Sequence, residues 1–417
     1  MKLFKSSLIA LALASASSVY AQSIAITNAT VHTVTDQGVL TNATVVIDNG
    51  VISAINPAEI TADSTIDAQG KILTPGLIGS MNQLGLVEVS AVSRTRDAGD
   101  KKADITFDAS LAFNPKSAAI AYSRKGGITT NIVVPSGGES MFKGQAFIAD
   151  LSGDVDSIVA TNSAVVIDLG AKSKGSRALA LQELRHKLED AKDVLDKAKA
   201  EKSSKDKDKK ADAKEPKRDE KVINSVLAGE KPLLAYADRA TDLLALIALK
   251  KDFGINLVVS GAGDAISVST QLAEAKIPVI IGTLANLPSF DALHKSLNSA
   301  ATLIQAGVPV LFSVDGDTHN LYQLRFDAGV AVANGVSKEQ ALAAITANVA
   351  DAFGLNAGRI AVGKKADLVL WSADPFEIST RVEKMWIDGV EHGTNSRHDA
   401  LRERYVAESD MPRAYVK

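Results

Sequence analysis

Residues 257–312 contain three short apolar runs, Leu257-Val258-Val259, Pro278-Val279-Ile280-Ile281 and Val308-Pro309-Val310-Leu311-Phe312. Amphipathic helical patterns over 264–275 and 291–306 separate these runs. Short continuous apolar runs are typical of strands buried on both faces, and their alternation with helices favours a parallel sheet. Because this alternation starts well before residue 257, the sequence predicts an α/β fold, with a TIM-like (β/α)8 barrel as its leading closed form.

Both ends of the chain have a different pattern. Residues 24–60 contain β-branched runs joined at the turn Asp48-Asn49-Gly50, and strand patterns return after residue 356. We therefore expect a small composite β-sandwich built from 22–72 and 357–417, with the barrel spanning 73–356.

The first 21 residues have the three regions of a secretory signal peptide. Lys2 and Lys5 are followed by an apolar stretch from Leu8 to Ala14, and Val19-Tyr20-Ala21 matches a cleavage site. The sequence thus predicts export, to the periplasm or outside the cell, after cleavage near Ala21. No other apolar run is long enough for a membrane span.

The composition excludes several classes of function. The 417 residues include no cysteine and six histidines, so disulfides, thiolate metal sites and cysteine nucleophiles are excluded. A net charge of -3 and an aromatic content of 5% argue against binding nucleic acid. A small molecule is the expected partner, and a homo-oligomer is compatible with the sequence.

A charged insertion interrupts the barrel pattern at about 176–225. It begins with a helical pattern over 176–200 and continues with a tract of Lys, Asp, Glu, Ser and Ala over 201–221. Such a tract cannot bury enough apolar surface to order itself, which favours a flexible insertion on the barrel surface. A docking segment for a protein partner is the alternative.

Three phrases resemble the amidohydrolase superfamily, and within it the secreted imidazolonepropionase-like members. They are Gly70-Lys71-Ile72-Leu73-Thr74-Pro75-Gly76-Leu77-Ile78, Lys125-Gly126-Gly127-Ile128-Thr129-Thr130, and a longer phrase that contains Gly363-Lys364-Lys365-Ala366-Asp367-Leu368-Val369-Leu370-Trp371. The resemblance implies a barrel joined to a composite β-sandwich, and hydrolysis of carbon–nitrogen bonds other than peptide bonds at zinc or another divalent metal.

The metal-binding motif of that family is replaced in this chain. Active members that this chain resembles place His-x-His just after Pro-Gly-Leu-Ile, where this sequence has Met81, Asn82 and Gln83. A methionine thioether is a poor zinc ligand, and glutamine offers a neutral amide oxygen. No metal is therefore assigned from the sequence.

The later ligand positions are also altered. The segment that matches the family's fifth strand ends in Tyr236-Ala237-Asp238-Arg239, and Tyr236 stands where a histidine is expected. Asp238 and Arg239 are candidates for binding a polar ligand, with a buried ion pair between them as the alternative.

One feature of the family remains at the end of the eighth predicted strand. The resemblance implies that Asp315 is a catalytic general base. A loop or helix cap is the alternative role. Asp315, Asp317 and His319 alternate in this segment and could hold a divalent ion, but a polar loop is the preferred interpretation because nothing else supplies the outer ligands.

Two functions follow from these observations. The first is an amidohydrolase-like hydrolase of a small molecule with a degenerate metal site. The second is a catalytically inactive protein of the same fold that binds a ligand or a protein partner. Whether the chain is an enzyme depends on what replaces the missing ligands.

Overall fold

The computed structural model describes residues 23–169, 175–203, 216–314 and 316–406, without the side chains of 198–203. The strands are β1 (Ile24–His32), β2 (Val39–Asp48), β3 (Val51–Ile55), β4 (Ser64–Asp67), β5 (Ile72–Pro75), β6 (Leu77–Asn82), β7 (Ile128–Val133), β8 (Phe142–Asp150), β9 (Ile158–Asp168), β10 (Leu233–Ala237), β11 (Leu257–Gly261), β12 (Val279–Ile281), β13 (Val310–Phe312), β14 (Leu368–Trp371), β15 (Val382–Ile387) and β16 (Val390–Glu391). The α-helices are α1 (Ala118–Arg124), α2 (Arg177–Ser203), α3 (Arg218–Leu227), α4 (Ala240–Phe253), α5 (Ser269–Glu274), α6 (Ser299–Gln305), α7 (Leu324–Ala333), α8 (Lys338–Ala344), α9 (Ala347–Phe353) and α10 (Arg397–Val406).

The first sheet joins the two ends of the chain. Its strand order is β16-β15-β14-β5-β1-β2-β3, with β4 paired to β1. Strand β14 lies antiparallel to β5, with Leu368 opposite Pro75 and Trp371 opposite Ile72. A buried apolar cluster that includes Ile26, Leu73 and Trp386 stabilises this sheet.

The second sheet is a nearly closed barrel with the strand order β13-β12-β11-β10-β9-β8-β7-β6. Strand β8 runs antiparallel to both β7 and β9, whereas the other neighbouring strands are parallel. The expected all-parallel arrangement is therefore wrong at β8. The links 134–141 and 151–157 are shorter than the dozen or so residues that a parallel crossover needs.

The chain around α9 spans the gap between the end strands β6 and β13. The Ile78 amide donates to the Ile345 carbonyl at 2.9 Å, and Asn348 Nδ2 donates to the Val310 carbonyl at 2.8 Å. The barrel interior is apolar, and alternate residues of the strands fill it together with side chains from α9. These residues include Ile78, Ile132, Val166, Leu234, Val258, Ile280, Leu311, Val349 and Phe353.

The junction between the first sheet and the barrel explains a glycine of the sequence motif at residues 125–130. Gly127 has a φ of 79°, and a Cβ atom there would lie 2.3 Å from the Trp371 ring. Trp371 is fully buried, and its Nε1 donates to Thr74 Oγ1 at 2.9 Å. Glycine is therefore required at position 127 by both the backbone conformation and the close approach of an aromatic ring.

Two helix predictions need correction. The segment 282–298, predicted as helical from 291, is irregular, and α6 begins only at Ser299. Asp291 and His294 in this segment bind side chains of other elements instead, as described below. The charged tract expected to stay unstructured to residue 221 already forms α3 from Arg218, because Ile223 and Val226 of that helix are buried.

The predicted signal peptide, residues 1–21, lies outside the described residues. In the described part of the chain, no helix has the length and apolar character needed to cross a membrane.

Candidate functional site

Polar side chains form a row at the carboxyl ends of three adjacent barrel strands. Asp168 on β9 lies opposite Tyr236 on β10, and Tyr236 lies opposite Ser260 on β11. The residues two positions earlier on these strands belong to the apolar interior, so the row lies on the inner face at the barrel mouth. Asp168 and Ser260 are buried, and Tyr236 is half-buried against the interior cluster.

Tyr236 was expected in this position, whereas Asp168 and Ser260 were not singled out from the sequence. Their signal was the period of two along each strand: Asp168 follows Val166, and Ser260 follows Val258. A polar residue in phase with an inward-facing apolar series at a strand end is a candidate for the mouth of a barrel.

Met81, Asn82 and Gln83 lie at the end of β6, where the sequence match places the altered metal motif. The side chain of Met81 packs on the apolar interior, and its backbone has a φ of 61°. Such a left-handed conformation is uncommon outside glycine and occurs at functional sites. Gln83 is half-buried, and its carbonyl accepts hydrogen bonds from the amides of Leu86 and Val87.

Asn82 is held by a second asparagine that sequence reasoning missed. Asn82 Nδ2 donates to Asn131 Oδ1 at 2.8 Å, and Asn131 Nδ2 donates to Asn82 Oδ1 at 2.9 Å. Asn82 Oδ1 also accepts from the Leu84 amide at 3.0 Å. Both side chains are buried. The carboxamides therefore satisfy each other across the ends of β6 and β7.

These residues do not fit a zinc site. Protein-bound zinc takes imidazole, thiolate or carboxylate ligands, and the β6 end supplies a thioether and two amides. Among the side chains that the structure describes, no group of three His, Cys, Asp or Glu residues could hold a metal ion. The donor set at the mouth therefore differs from the one that the resemblance implied.

Asp315, the candidate catalytic base, lies outside the described residues. Its neighbours on the barrel side, Ser313 and Val314, are buried. Beyond it, Asp317 is exposed and accepts a hydrogen bond from Ser90 Oγ, and His319 is also exposed.

Asp238 lies in a turn that is shaped around its carboxylate. Gly261 has a φ of 88°, and a Cβ atom there would lie 2.7 Å from Asp238 Oδ1. The Gly263 amide donates to the same oxygen at 3.2 Å. Burial raises the pKa of Asp238, while the Gly263 amide and the charge of Lys295 oppose this effect. The end of β11 therefore fixes the position of a carboxyl group whose protonated form is favoured by burial.

Arg239 does not pair with Asp238, so the ion-pair alternative for these two residues is wrong. The Arg239 guanidinium lies 2.7 Å from Asp291 Oδ1, which Arg177 also contacts at 2.9 Å. Arg177 additionally lies 3.4 Å from the buried Asp242. The two arginines thus connect the starts of α2 and α4 to the segment 282–298.

His294 forms a second connection from this segment to the mouth. Its Nδ1 lies 2.9 Å from Asp264 Oδ1. Burial opposes ionisation of Asp264, but hydrogen bonds from the His294 ring and main chain outweigh it and hold the pKa of this carboxyl below its usual value. Asp238 and Asp264 therefore have pKa values shifted in opposite directions although they lie on adjacent turns.

The barrel is joined to a sheet from both chain ends, and its polar groups lie at the carboxyl ends of the strands. These features define a class of barrel proteins whose sites all lie at that end of the barrel. The family model described as "Amidohydrolase family" matches residues 149–391, more than half of the chain. The chain therefore belongs to the amidohydrolase family.

Among solved structures, an amidohydrolase from Thermotoga maritima MSB8 is 28% identical with a TM-score of 0.78, and the match covers 88% of this chain and 99% of that one. Ochratoxinase from A. niger is 15% identical with a TM-score of 0.54 over 89% of this chain and 95% of that one, which shows a shared fold.

A curated relative, amidohydrolase tasK of Hapsidospora irregularis, is 21% identical over 402 residues. The match covers 83% of this chain but only 39% of that relative's length. This similarity is therefore to a part of a much longer protein.

Proposed function

We propose that this protein binds a small polar molecule at the mouth of its amidohydrolase barrel, without the metal-activated water that hydrolysis in this family is expected to need. The reciprocal hydrogen bonds between Asn82 and Asn131 carry this proposal. They occupy the lone pairs and N–H groups at the end of β6 that a metal ligand would have to leave available.

The other residues at the mouth suit ligand binding. The row of Asp168, Tyr236 and Ser260 supplies hydroxyl and carboxyl groups above an apolar interior. Asp238, directly after β10, adds a carboxyl group that the Gly263 amide holds in place. A few convergent polar groups above an apolar floor are the usual make-up of a small-molecule site. A neutral amide could both donate to and accept from these groups.

Elemental analysis of the protein purified without a histidine tag tests the proposal. We expect far less than one equivalent of zinc, manganese or iron. The probe for binding is acetanilide, a small neutral amide, and we expect its binding, measured by calorimetry, to be unaffected by a chelator. We expect Tyr236→Phe and Asp238→Asn to weaken that binding. A full equivalent of metal together with chelator-sensitive hydrolysis of acetanilide would overturn the proposal.

The second candidate is a hydrolase that acts on a non-peptide carbon–nitrogen bond with Asp315 as its base. Membership of the amidohydrolase family and the carboxyl group that follows Ser313 and Val314 in the sequence favour it. If this candidate is correct, Asp315→Asn should abolish hydrolysis while the protein remains folded. Equal rates for Asp315→Asn and the native chain would reject Asp315 as the base.

Several finer features belong to the same proposal. The pattern of residues 1–21 supports export through a signal peptide, and the sequence motifs that resemble the amidohydrolase superfamily support an imidazolonepropionase-like origin and a composite β-sandwich from 22–72 and 357–417. The loss of the His-x-His motif at Met81, Asn82 and Gln83 would be the step that separated this chain from metal-dependent members. The measured mass of the mature protein tests cleavage near Ala21.

A further inference from the structure

The segment 282–298 is a long connection without helix or strand at the barrel mouth. It follows the carboxyl end of β12 and leads to α6. Most connections in compact domains have about 4–6 residues, and structureless ones beyond about 12–15 residues are often functional lids or binding loops. Its length and place therefore mark it as a candidate part of the binding site.

Three contacts hold the base of this segment above the ends of β10 and β11. Ala292 packs directly on Gly263, where a Cβ atom would lie 2.2 Å from the Ala292 Cβ. His294 binds Asp264, and Asp291 binds Arg239 at 2.7 Å. Gly263 and Asp264 follow β11, and Arg239 follows β10. The segment is thus attached to the same turns that position Asp238.

Three large apolar side chains of this segment face solvent. Leu287, Phe290 and Leu293 are 78%, 96% and 63% exposed. Ser289 and Ala292 exchange main-chain hydrogen bonds at 3.1 and 3.3 Å, so that Phe290 lies at the tip of a tight turn. Grouped apolar exposure of this kind is unfavourable in water and marks a surface that contacts something else.

We propose that 282–298 is a lid, here in its open position, and that Phe290, Leu287 and Leu293 bind the apolar part of the ligand when it closes. The inference rests on the proposed function and deepens it by naming a ligand class: a small neutral amide with an aromatic or alkyl substituent. The amide contacts Tyr236 and Asp238, and the substituent packs under the turn that carries Phe290.

The contacts of the segment favour the ligand over a second copy of the chain or a lipid surface. Three of them, to Arg239, Gly263 and Asp264, come from turns at the rim of the barrel mouth. Closure of the segment therefore brings Phe290 over the mouth. Asp291 is held by Arg239 at 2.7 Å and by Arg177 at 2.9 Å. These contacts anchor the base of the turn, while Phe290, next to Asp291, stays 96% exposed.

Calorimetric titration with acetanilide and acetamide tests the proposal. We expect the native protein to bind acetanilide about tenfold more tightly than acetamide. The reason is that full burial of a phenyl ring would increase the affinity by more than about tenfold. Phe290→Ser should remove most of this preference and leave acetamide affinity unchanged. Leu111→Ser, at a leucine that is 89% exposed on another element, is the matched control and should change neither affinity.

A fluorescence reporter tests closure itself. The two tryptophans of the chain, Trp371 and Trp386, are fully buried, so F290W adds a solvent-exposed indole. Acetanilide should shift the emission of F290W to shorter wavelength and reduce its quenching by acrylamide. The control L111W should show neither change.

Each outcome separates this inference from the proposed function. If Phe290→Ser leaves acetanilide affinity unchanged while Tyr236→Phe and Asp238→Asn weaken it, the lid is wrong and the mouth still binds ligand. If only Phe290→Ser weakens it, the ring binds to the segment alone and the proposed function fails.

Three further results would also overturn the lid. Acetanilide-independent burial of F290W in a dimer, detected by sedimentation, would assign these side chains to a second copy. Burial of F290W by vesicles of phosphatidylcholine would assign them to a lipid surface. Absence of acetanilide binding to the native protein would reject the ligand class.

Discussion

Asn82 and Asn131 exchange two hydrogen bonds, at 2.8 and 2.9 Å, between the ends of neighbouring barrel strands. The pair lies at the end of β6, where the sequence resemblance predicts metal ligands, and its two carboxamides are hydrogen-bonded to each other. Because each carboxamide satisfies hydrogen bonds of the other, the pair stabilises the β6–β7 junction without any bound ion.

Removal of one partner should be costly. We expect Asn131→Leu to lower the free energy of unfolding by about 1–3 kcal/mol, because it leaves the buried amide of Asn82 with an unmet hydrogen bond. Urea denaturation measures this loss. The double variant Asn82→Leu/Asn131→Leu should lose less than the sum of the two single variants, and strict additivity would contradict a direct coupling.

The turn around Asp238 predicts a difference between two glycines. Gly261 and Gly254 both have positive φ, but a Cβ atom at 254 meets nothing within 4 Å, whereas one at 261 meets the Asp238 carboxylate. Gly254→Ala should cost about 1 kcal/mol for its backbone conformation alone. Gly261→Ala should cost more and should weaken ligand binding, and equal losses of stability would show that the contact with Asp238 is unimportant.

The opposite pKa shifts of Asp238 and Asp264 predict opposite pH effects. Burial raises the pKa of Asp238, so the stability linked to its protonated form is present below its unfolded pKa and is lost as pH rises through the folded pKa. Asparagine does not ionise, so Asp238→Asn removes this loss of stability at higher pH. Relative to the native chain, the variant should therefore be more stable at pH 7 than at pH 4.

Asp264 should behave in the reverse sense. Its lowered pKa means that it contributes stability above its unfolded pKa, and that this stability is lost as pH falls through the folded pKa. Asp264→Asn should therefore weaken the protein more at pH 7 than at low pH. Urea denaturation of both variants across this range checks the signs, and the same sign for both variants would refute the assignment of opposite shifts.

A buried arginine predicts a strong dependence of the fold on one side chain. Arg325 on α7 donates to the carbonyls of Pro375, Glu377 and Thr380 at 2.6–2.7 Å. We expect Arg325→Leu to cost about 3 kcal/mol or more, because several buried carbonyls lose their donor. Arg185→Leu, which breaks exposed ion pairs with Glu189 and Asp252, should cost less than about 1 kcal/mol. Thermal unfolding of both variants measures the contrast.

The strand runs could be read from the sequence because burial on both faces leaves an unbroken apolar pattern. Strands β11 to β13 lie where the three apolar runs between residues 257 and 312 predicted them. Strand β8 is not among the predicted runs, because Lys143 and Gln145 interrupt its apolar pattern. Only the short links on either side of β8 exclude a parallel crossover.

The site was predictable in part for a similar reason. Met81, Asn82 and Gln83 are contiguous, so their departure from His-x-His is visible in the sequence itself. Asn131 lies 49 positions from Asn82, and its role depends on the pairing of β6 with β7. His294 was expected on a helix, and its contact with Asp264 exists because the segment 282–298 folds back over the end of β11.

The sequence by itself determined the family and the apolar strands of the barrel, since both depend on residue types at short spacing. Tertiary structure alone decided the inverted strand, the Asn82–Asn131 pair, the turn around Asp238 and the attachment of 282–298 by Arg239 and Asp264. These features arise from contacts between distant residues, and closure of the barrel determines which of them meet.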